Sequence, residues 1–211
     1  ARKLAEILNR HLGRTEPQRH PSPDRHHKAS TLFASYSLTE LQKWIDMSPW
    51  ENLILIEPAT HSDSQRLLQL RERLLLQGFS AWAPCPHQQA CPLLSGSEKD
   101  WCHDRVVIEL PRYLQGIEKH LPFRNQTLTM SYLLLSKQPA PARRGWARLT
   151  GDLKREKGKS RQLFCRGPQR EFLTWMERHH PKLGEIPRGD LIEVPAGEPR
   201  GNEWRVHPPS K

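Results

Sequence analysis

The residues of this 211-residue chain best suited to chemistry are four cysteines, Cys85, Cys91, Cys102 and Cys165. Five residues separate the first two, ten separate Cys91 from Cys102, and 62 lie between Cys102 and Cys165. The pattern is three local thiols plus one remote one. A metal ion or cluster needs soft thiolates converging on a point, and prolines directly after Cys85 and Cys91 can hold a loop open there without burying unpaired amides. Four-thiolate sites serve both zinc and a 4Fe-4S cluster, and this spacing is not the tight CxxC of a zinc ribbon, so the residues alone leave both open. The polar setting of Cys85, Cys91 and Cys102 argues against four unrelated cysteines packed as small apolar side chains. His87 and His103 are alternative ligands or donors to the ligands. A nucleophilic pair, Cys85 with His87 or Cys102 with His103, lacks the third group that would orient a base.

The elements that must position these thiols alternate. Residues 1–14 have helical apolar spacing, and the Pro-rich stretch up to Ser30 reads as a linker, so residues 1–30 form an N-terminal helix and linker. Residues 31–36 are a β-prone run, with Ser37 and Glu40 at capping-box spacing ahead of a helix. Residues 52–56 form a continuous apolar run, 62–77 an amphipathic helix stopped by Gly78, and 79–83 a strand leading into the first cysteines. Further strands are expected at 128–135 and 161–165. This alternation predicts an α/β domain over 31–180 with a mostly parallel sheet, followed over 181–211 by a small β extension. Ligands of such sheets sit beyond the carboxyl ends of the strands, where Tyr36, Glu57 and Cys85 fall. Tyr36 and Glu57 are therefore candidate cofactor-binding or catalytic residues.

The chain carries 33 Lys plus Arg against 23 Asp plus Glu, a net charge of +10, which favours a polyanionic partner. Arg143, Arg144, Arg148, Lys154, Arg155, Lys157, Lys159 and Arg161, interleaved with Trp146 and Phe164, suit phosphate contacts with base stacking. No apolar run approaches the roughly 18 residues of a membrane span, so no membrane role is expected. No paired carboxylates, nucleophile elbow or P-loop supports a hydrolase or kinase. The sequence opens at Ala1 without an initiator Met or a secretory signal, which predicts residues upstream and a reducing compartment.

The segments ASYSLTEL (34–41), LILIEPAT (53–60), APCPHQQACPL (83–93), DWCHDR (100–105), LPFRNQTLTMSYLLL (121–135), FCRGPQREFLTW (164–175) and IPRGDLIEV (186–194) carry a family resemblance. They are similar to the methyltransferase-like family of ribosomal small-subunit proteins, a group that includes the mitochondrial methyltransferase-like protein 17. The resemblance implies a class I, Rossmann-type S-adenosylmethionine-dependent methyltransferase fold with a cysteine-rich insertion, a role in small-subunit assembly in contact with its rRNA, and a 4Fe-4S cluster. Matched by position, the implied ligands are Cys85, Cys91, Cys102 and Cys165, with zinc as the alternative. Details of HLPFRNQTLTMSYLL resemble a bacterial, cytoplasmic member; the mitochondrial matrix is the other compartment. Class I methyltransferases hold S-adenosylmethionine on a Gly-rich turn, and no GxGxG occurs here. The strands at 31–36 and 52–56 correspond to the fourth and fifth of that fold, so this chain is expected to be its C-terminal half. The alternative expectations are an active S-adenosylmethionine-dependent rRNA methyltransferase and a zinc-stabilised RNA-binding module.

Overall fold

The computed structural model describes residues 30–38, 46–96, 99–120, 122 and 127–209. The helix expected over 1–14, its linker up to residue 29 and the helix expected from residue 39 lie outside them.

The first sheet contains β1 (Thr31–Ser35), β2 (Asn52–Pro58), β3 (Ser80–Ala83), β4 (Asp104–Val107) and β5 (Thr127–Ser136), in the order β1-β2-β5-β3, with β4 also on β5. β1 pairs with β2 in parallel, whereas β2, β3 and β4 all pair with β5 antiparallel. Four strands therefore share one direction and β5 runs against them through the middle. The expected mostly parallel sheet is in fact mixed, because an apolar run such as 128–135 reports burial and carries no information on strand direction. The shared direction nonetheless brings the carboxyl ends of β1, β2 and β3, with Tyr36, Glu57 and Cys85, to one edge.

Helix α1 (His61–Leu76) covers one face of this sheet. Thr60 caps it by accepting from the Asp63 amide at 3.1 Å, and Gly78, at φ 89°, follows its last turn in the left-handed conformation that ends helices. Leu67, Leu70 and Leu74 meet Leu53 and Leu55 of β2, Leu133 and Leu135 of β5 and Ala81 of β3 in a core that excludes water. Alternate β2 side chains are buried, as period-two packing requires.

The second sheet runs β10-β11-β8-β7-β6-β9, from β6 (Trp146–Glu156), β7 (Lys159–Cys165), β8 (Glu171–Met176), β9 (Leu191–Glu193), β10 (Gly197–Arg200) and β11 (Glu203–Val206). The stretch 181–211, expected as a separate small extension, instead supplies three strands of this sheet: β9 pairs with β6, and β11 pairs in parallel with β8. The boundary expected at residue 180 thus falls inside a sheet, since short runs broken by Gly and Pro reveal strands but not their partners. One face buries Ala147, Leu149, Phe164, Leu173 and Trp175. The opposite face, with Leu163 and Phe172, packs on Leu68 of α1 and on Leu93 of the one-turn helix α2 (Pro92–Ser95).

Glu203 ties β11 to β7 across β8, accepting from Lys159 Nζ at 2.9 Å with Arg161 at 3.6 Å. Burial works against its charge, but the Lys159 hydrogen bond and the neighbouring Lys159, Arg161 and Arg205 charges hold its carboxyl below the usual value. A carboxyl depressed by folding contributes stability above its unfolded pKa, and that contribution is lost as the pH falls through the folded value. Glu203→Gln should therefore lower unfolding stability by about 1–2 kcal/mol at neutral pH, with the gap to the parent closing as the pH falls below the ordinary glutamate range, as followed by thermal unfolding across pH.

Candidate metal centre

Three cysteines belong to connections at the edge of the first sheet and one to the second sheet. Cys85 follows β3 just beyond the cis Ala83–Pro84 bond, Cys91 immediately precedes α2, Cys102 lies two residues before β4, and Cys165 ends β7. All four are free thiols. Together with Leu68, Arg71, His87, Arg148 and Thr150 they line one small cavity of about 20 Å³. Among the described residues no three His, Cys, Asp or Glu side chains form a group able to hold a metal ion.

Local contacts set each thiol in place. The Gln88 side chain accepts from the Ala81 amide at 2.7 Å and donates to the Ala81 carbonyl at 2.8 Å, which folds the Cys85–Cys91 loop back on β3 as a further strand would. The Cys91 amide donates to Glu72 at 3.1 Å, and the Ser131 hydroxyl donates to the Cys102 carbonyl at 2.8 Å. Cys165 is the register partner of Arg148 across β6 and β7, so the two side chains leave the same face of the second sheet.

The cavity is electropositive. Arg71 and Arg148 have only 0% and 3% of their surfaces exposed. Arg71 is paired with Glu72 at 2.5 Å and donates to the His87 carbonyl at 2.8 Å. Arg148 is paired with Asp104 and places Nη1 2.8 Å from the Cys102 sulfur. His87 Nε2 lies 3.3 Å from the Cys165 sulfur. Burial pushes the thiols up: Cys91 rises to about 12, with nearby Cys102 adding to the effect, and Cys165 rises well above its ordinary value. Burial also raises Cys85, although Arg71 opposes it. Burial, assisted by Arg71, lowers His87 to about 4, so its imidazole is neutral at physiological pH.

The other residues singled out from the sequence are dispersed. Arg148, expected on an RNA-contacting face, is buried against Cys102 and Asp104; it falls at an inward position of β6, which a count of basic residues along the chain does not reveal. Arg143 is half-buried and donates to the Trp82 carbonyl, and Lys159 and Arg161 are each paired with both Glu156 and Glu203. Arg144, Lys154, Arg155 and Lys157 are solvent-exposed, Arg144 just before β6 and the other three near its far end. Glu57 is buried and accepts from the Ser37 and Leu38 amides at 3.3 and 3.0 Å, so it holds the turn after β1. Tyr36 stands half-exposed in that turn at φ 52°. Neither lines the thiol cavity. His103 is buried beside the Trp101 ring and is lowered to about 4 by burial and then by Arg188 and Arg105.

Arg71 went unnoticed in the sequence. Its signal was present: it sits four residues after Leu67 and three before Leu74, a charged residue on the apolar face of an amphipathic helix.

A mixed α/β sheet joined through a thiol-lined cavity to a second, all-β sheet defines the class. Residues 35–174, about two thirds of the chain, match the family described as Rsm22, mitochondrial small ribosomal subunit Rsm22. The chain belongs to that methyltransferase-like family, and all four cysteines fall inside the matched stretch. A search of the curated proteins finds no match.

Gly189 backs the cavity wall. It has φ 101°, its amide donates to the Leu149 carbonyl at 2.9 Å, and a Cβ placed on it would lie 2.7 Å from the Asp104 carboxyl group that holds Arg148. Gly189→Ala should cost about 1–3 kcal/mol of stability through backbone strain and displacement of Asp104, as measured by denaturant unfolding.

Proposed function

We propose that this chain is an assembly or maturation factor of the small ribosomal subunit that binds rRNA and carries a 4Fe-4S cluster on Cys85, Cys91, Cys102 and Cys165. The observation that carries the reading is that four free thiols drawn from both sheets line one small cavity together with two buried guanidiniums. Four thiolates serve a zinc ion or a polynuclear group alike, and the family resemblance favours the cluster. The charges point the same way. Arg148, already paired with Asp104, still places an N–H donor 2.8 Å from the Cys102 sulfur, a donor that a cluster-bound thiolate would accept.

The site residues divide the work. Burial keeps the free thiols of Cys85, Cys91 and Cys165 protonated, so they would lose protons on binding and metal uptake would be coupled to proton release. A bound cluster would supply a cross-link between the two sheets and a one-electron centre. Cys165 brings the second sheet into that cross-link, and Gln88 and Glu72 hold the loop that presents Cys85 and Cys91.

The RNA reading rests on the net charge of +10 and on exposed Arg144, Lys154, Arg155 and Lys157, with Trp146 41% exposed beside Arg144 as a stacking platform. An assembly role is preferred over methyl transfer because Glu57, the carboxylate at the strand edge, is committed to the Ser37 and Leu38 amides. The family's description fits the mitochondrial matrix of the two compartments expected from the sequence.

The test compares the parent with Cys91→Ser after anaerobic purification, by iron, sulfide and zinc analysis and by co-sedimentation with small ribosomal subunits over a salt series. The parent should hold about four irons and four sulfides and co-sediment in a salt-sensitive way, and the variant should lose both properties. Zinc without sulfide would replace the cluster with a single-ion site. Co-sedimentation that survives loss of the metal would separate RNA binding from the cysteine centre.

A further inference from the structure

Resting on the four-cysteine cluster reading above, we propose that Arg71 and Arg148 are positioning residues for that group: their guanidiniums offset its negative charge from opposite walls of the cavity, and Arg148 donates directly to the Cys102 sulfur. The two arrive from different elements. Arg71 comes from α1 on the first sheet and Arg148 from β6 in the second, and both line the space between the thiols.

Each guanidinium is held from behind and aimed forward. Glu72 and Asp104 each take one guanidinium nitrogen, Nη1 of Arg71 and Nη2 of Arg148. The remaining donors turn to the cavity. Arg148 Nη1 meets Cys102 at 2.8 Å, and Arg71 Nη2 meets the carbonyl of His87 at 2.8 Å. Nε of both arginines is buried with no hydrogen-bond partner among the described residues. An ion pair that served stability alone would have no reason to aim donors at sulfur. With 0% and 3% exposure neither side chain can reach an RNA phosphate, which separates this pair from the exposed basic residues.

The consequence for the bound group follows from its charge. A cluster held by four thiolates keeps a net negative charge and becomes more negative when it takes up an electron. Nearby positive charge and N–H donors to the ligand sulfurs therefore favour the reduced form, and they make release of the group costlier. The carboxylates behind act in the opposite sense. Asp104→Asn keeps an oxygen that can accept from Arg148 while removing a negative charge, so it should move the potential opposite to Arg148→Met.

The experiment uses the full chain, purified anaerobically, as the parent, Arg71→Met, Arg148→Met and Asp104→Asn. Electrochemical titration, in which the electrode supplies one electron per cluster and no bond forms or breaks, is followed by visible absorption. The rate of iron loss to a chelator is measured beside it. Either Met variant should hold a reduced-to-oxidised ratio at least tenfold lower at fixed applied potential, about 59 mV for one electron. It should also lose iron several-fold faster. Asp104→Asn should shift the potential upward. If a Met variant fails to fold, the corresponding Gln variant takes its place: it removes the positive charge while keeping a polar group for the buried carboxylate, and its potential should likewise fall below the parent's. A cluster-loaded parent whose potential and iron loss do not change in Arg71→Met and Arg148→Met, or in the Gln variants that replace them, overturns the inference and leaves the cluster reading intact. A parent with no iron and no sulfide overturns the cluster reading and the inference with it.

Discussion

A buried guanidinium between a carboxylate and a thiol, Arg148 between Asp104 and Cys102, joins the two sheets at the place where the cysteines gather. It heads a short ladder. The segment from Asp100 to Arg105 is stitched to the second half of the chain residue by residue: Asp100 to Arg170 at 2.6 Å, the Trp101 carbonyl to Arg188 at 3.1 Å, Cys102 and Asp104 to Arg148, and Arg105 to Asp152 at 3.3 Å. The exposed members of such a ladder contribute little each, but the buried Arg148 step leaves an uncompensated charge if either side is removed. The cavity depends on that step, because Cys102 belongs to one side of it and Cys165, the register partner of Arg148, to the other.

This arrangement explains why the site lies between the sheets and not in the sheet edge alone. The edge formed by β1, β2 and β3 offers Tyr36, Glu57 and Cys85, but Glu57 is occupied by two backbone amides and the thiol turns toward α1 and the second sheet. Only where the Cys85–Cys102 connections meet β6 and β7 do soft donors and compensating positive charge coincide. Burial alone would keep the thiols of Cys85, Cys91 and Cys165 protonated. What opposes it is positive charge close to sulfur, and α1 and β6 each deliver one arginine for that purpose.

Much of this was legible in the sequence, and what was not has a common cause. The strands at 52–58 and 127–136 and the helix at 61–76 follow from periodicity and capping, and the four cysteines announce themselves by their polar, Pro-rich setting. Pairing was not legible. The antiparallel insertion of β5, the joining of β9 and β11 to β6 and β8, and the opposition of Cys165 to Arg148 are relations between distant segments, which local patterns do not encode. Arg148 shows the cost most clearly. In a run from Arg143 to Arg161 it reads as one more basic residue, yet the alternation Ala147, Arg148, Leu149 on a buried strand turns it into the charge that faces a thiol.

The same distinction bears on the net charge of +10. Arg71, Arg148, Arg161, Arg166, Arg170 and Arg188 are all engaged with carboxylates or carbonyls inside the fold, so they contribute to cohesion and only weakly to the outward field. The excess that a polyanion would meet comes from exposed residues such as Arg144, Lys154, Arg155 and Lys157. Of these, Arg155 has a carboxylate, that of Glu177, at 3.6 Å. Arg144 precedes β6 and Lys157 follows it, so an RNA in contact with both would have to run along this long strand, spanning on the order of 35–40 Å if β6 were straight. A ribbon of charge along one strand, with Trp146 near one end, suits an extended or grooved backbone better than a compact single site. The second sheet would then do two jobs at once, with side chains of β6 that point inward closing the thiol cavity and those near its ends presented to the polyanion.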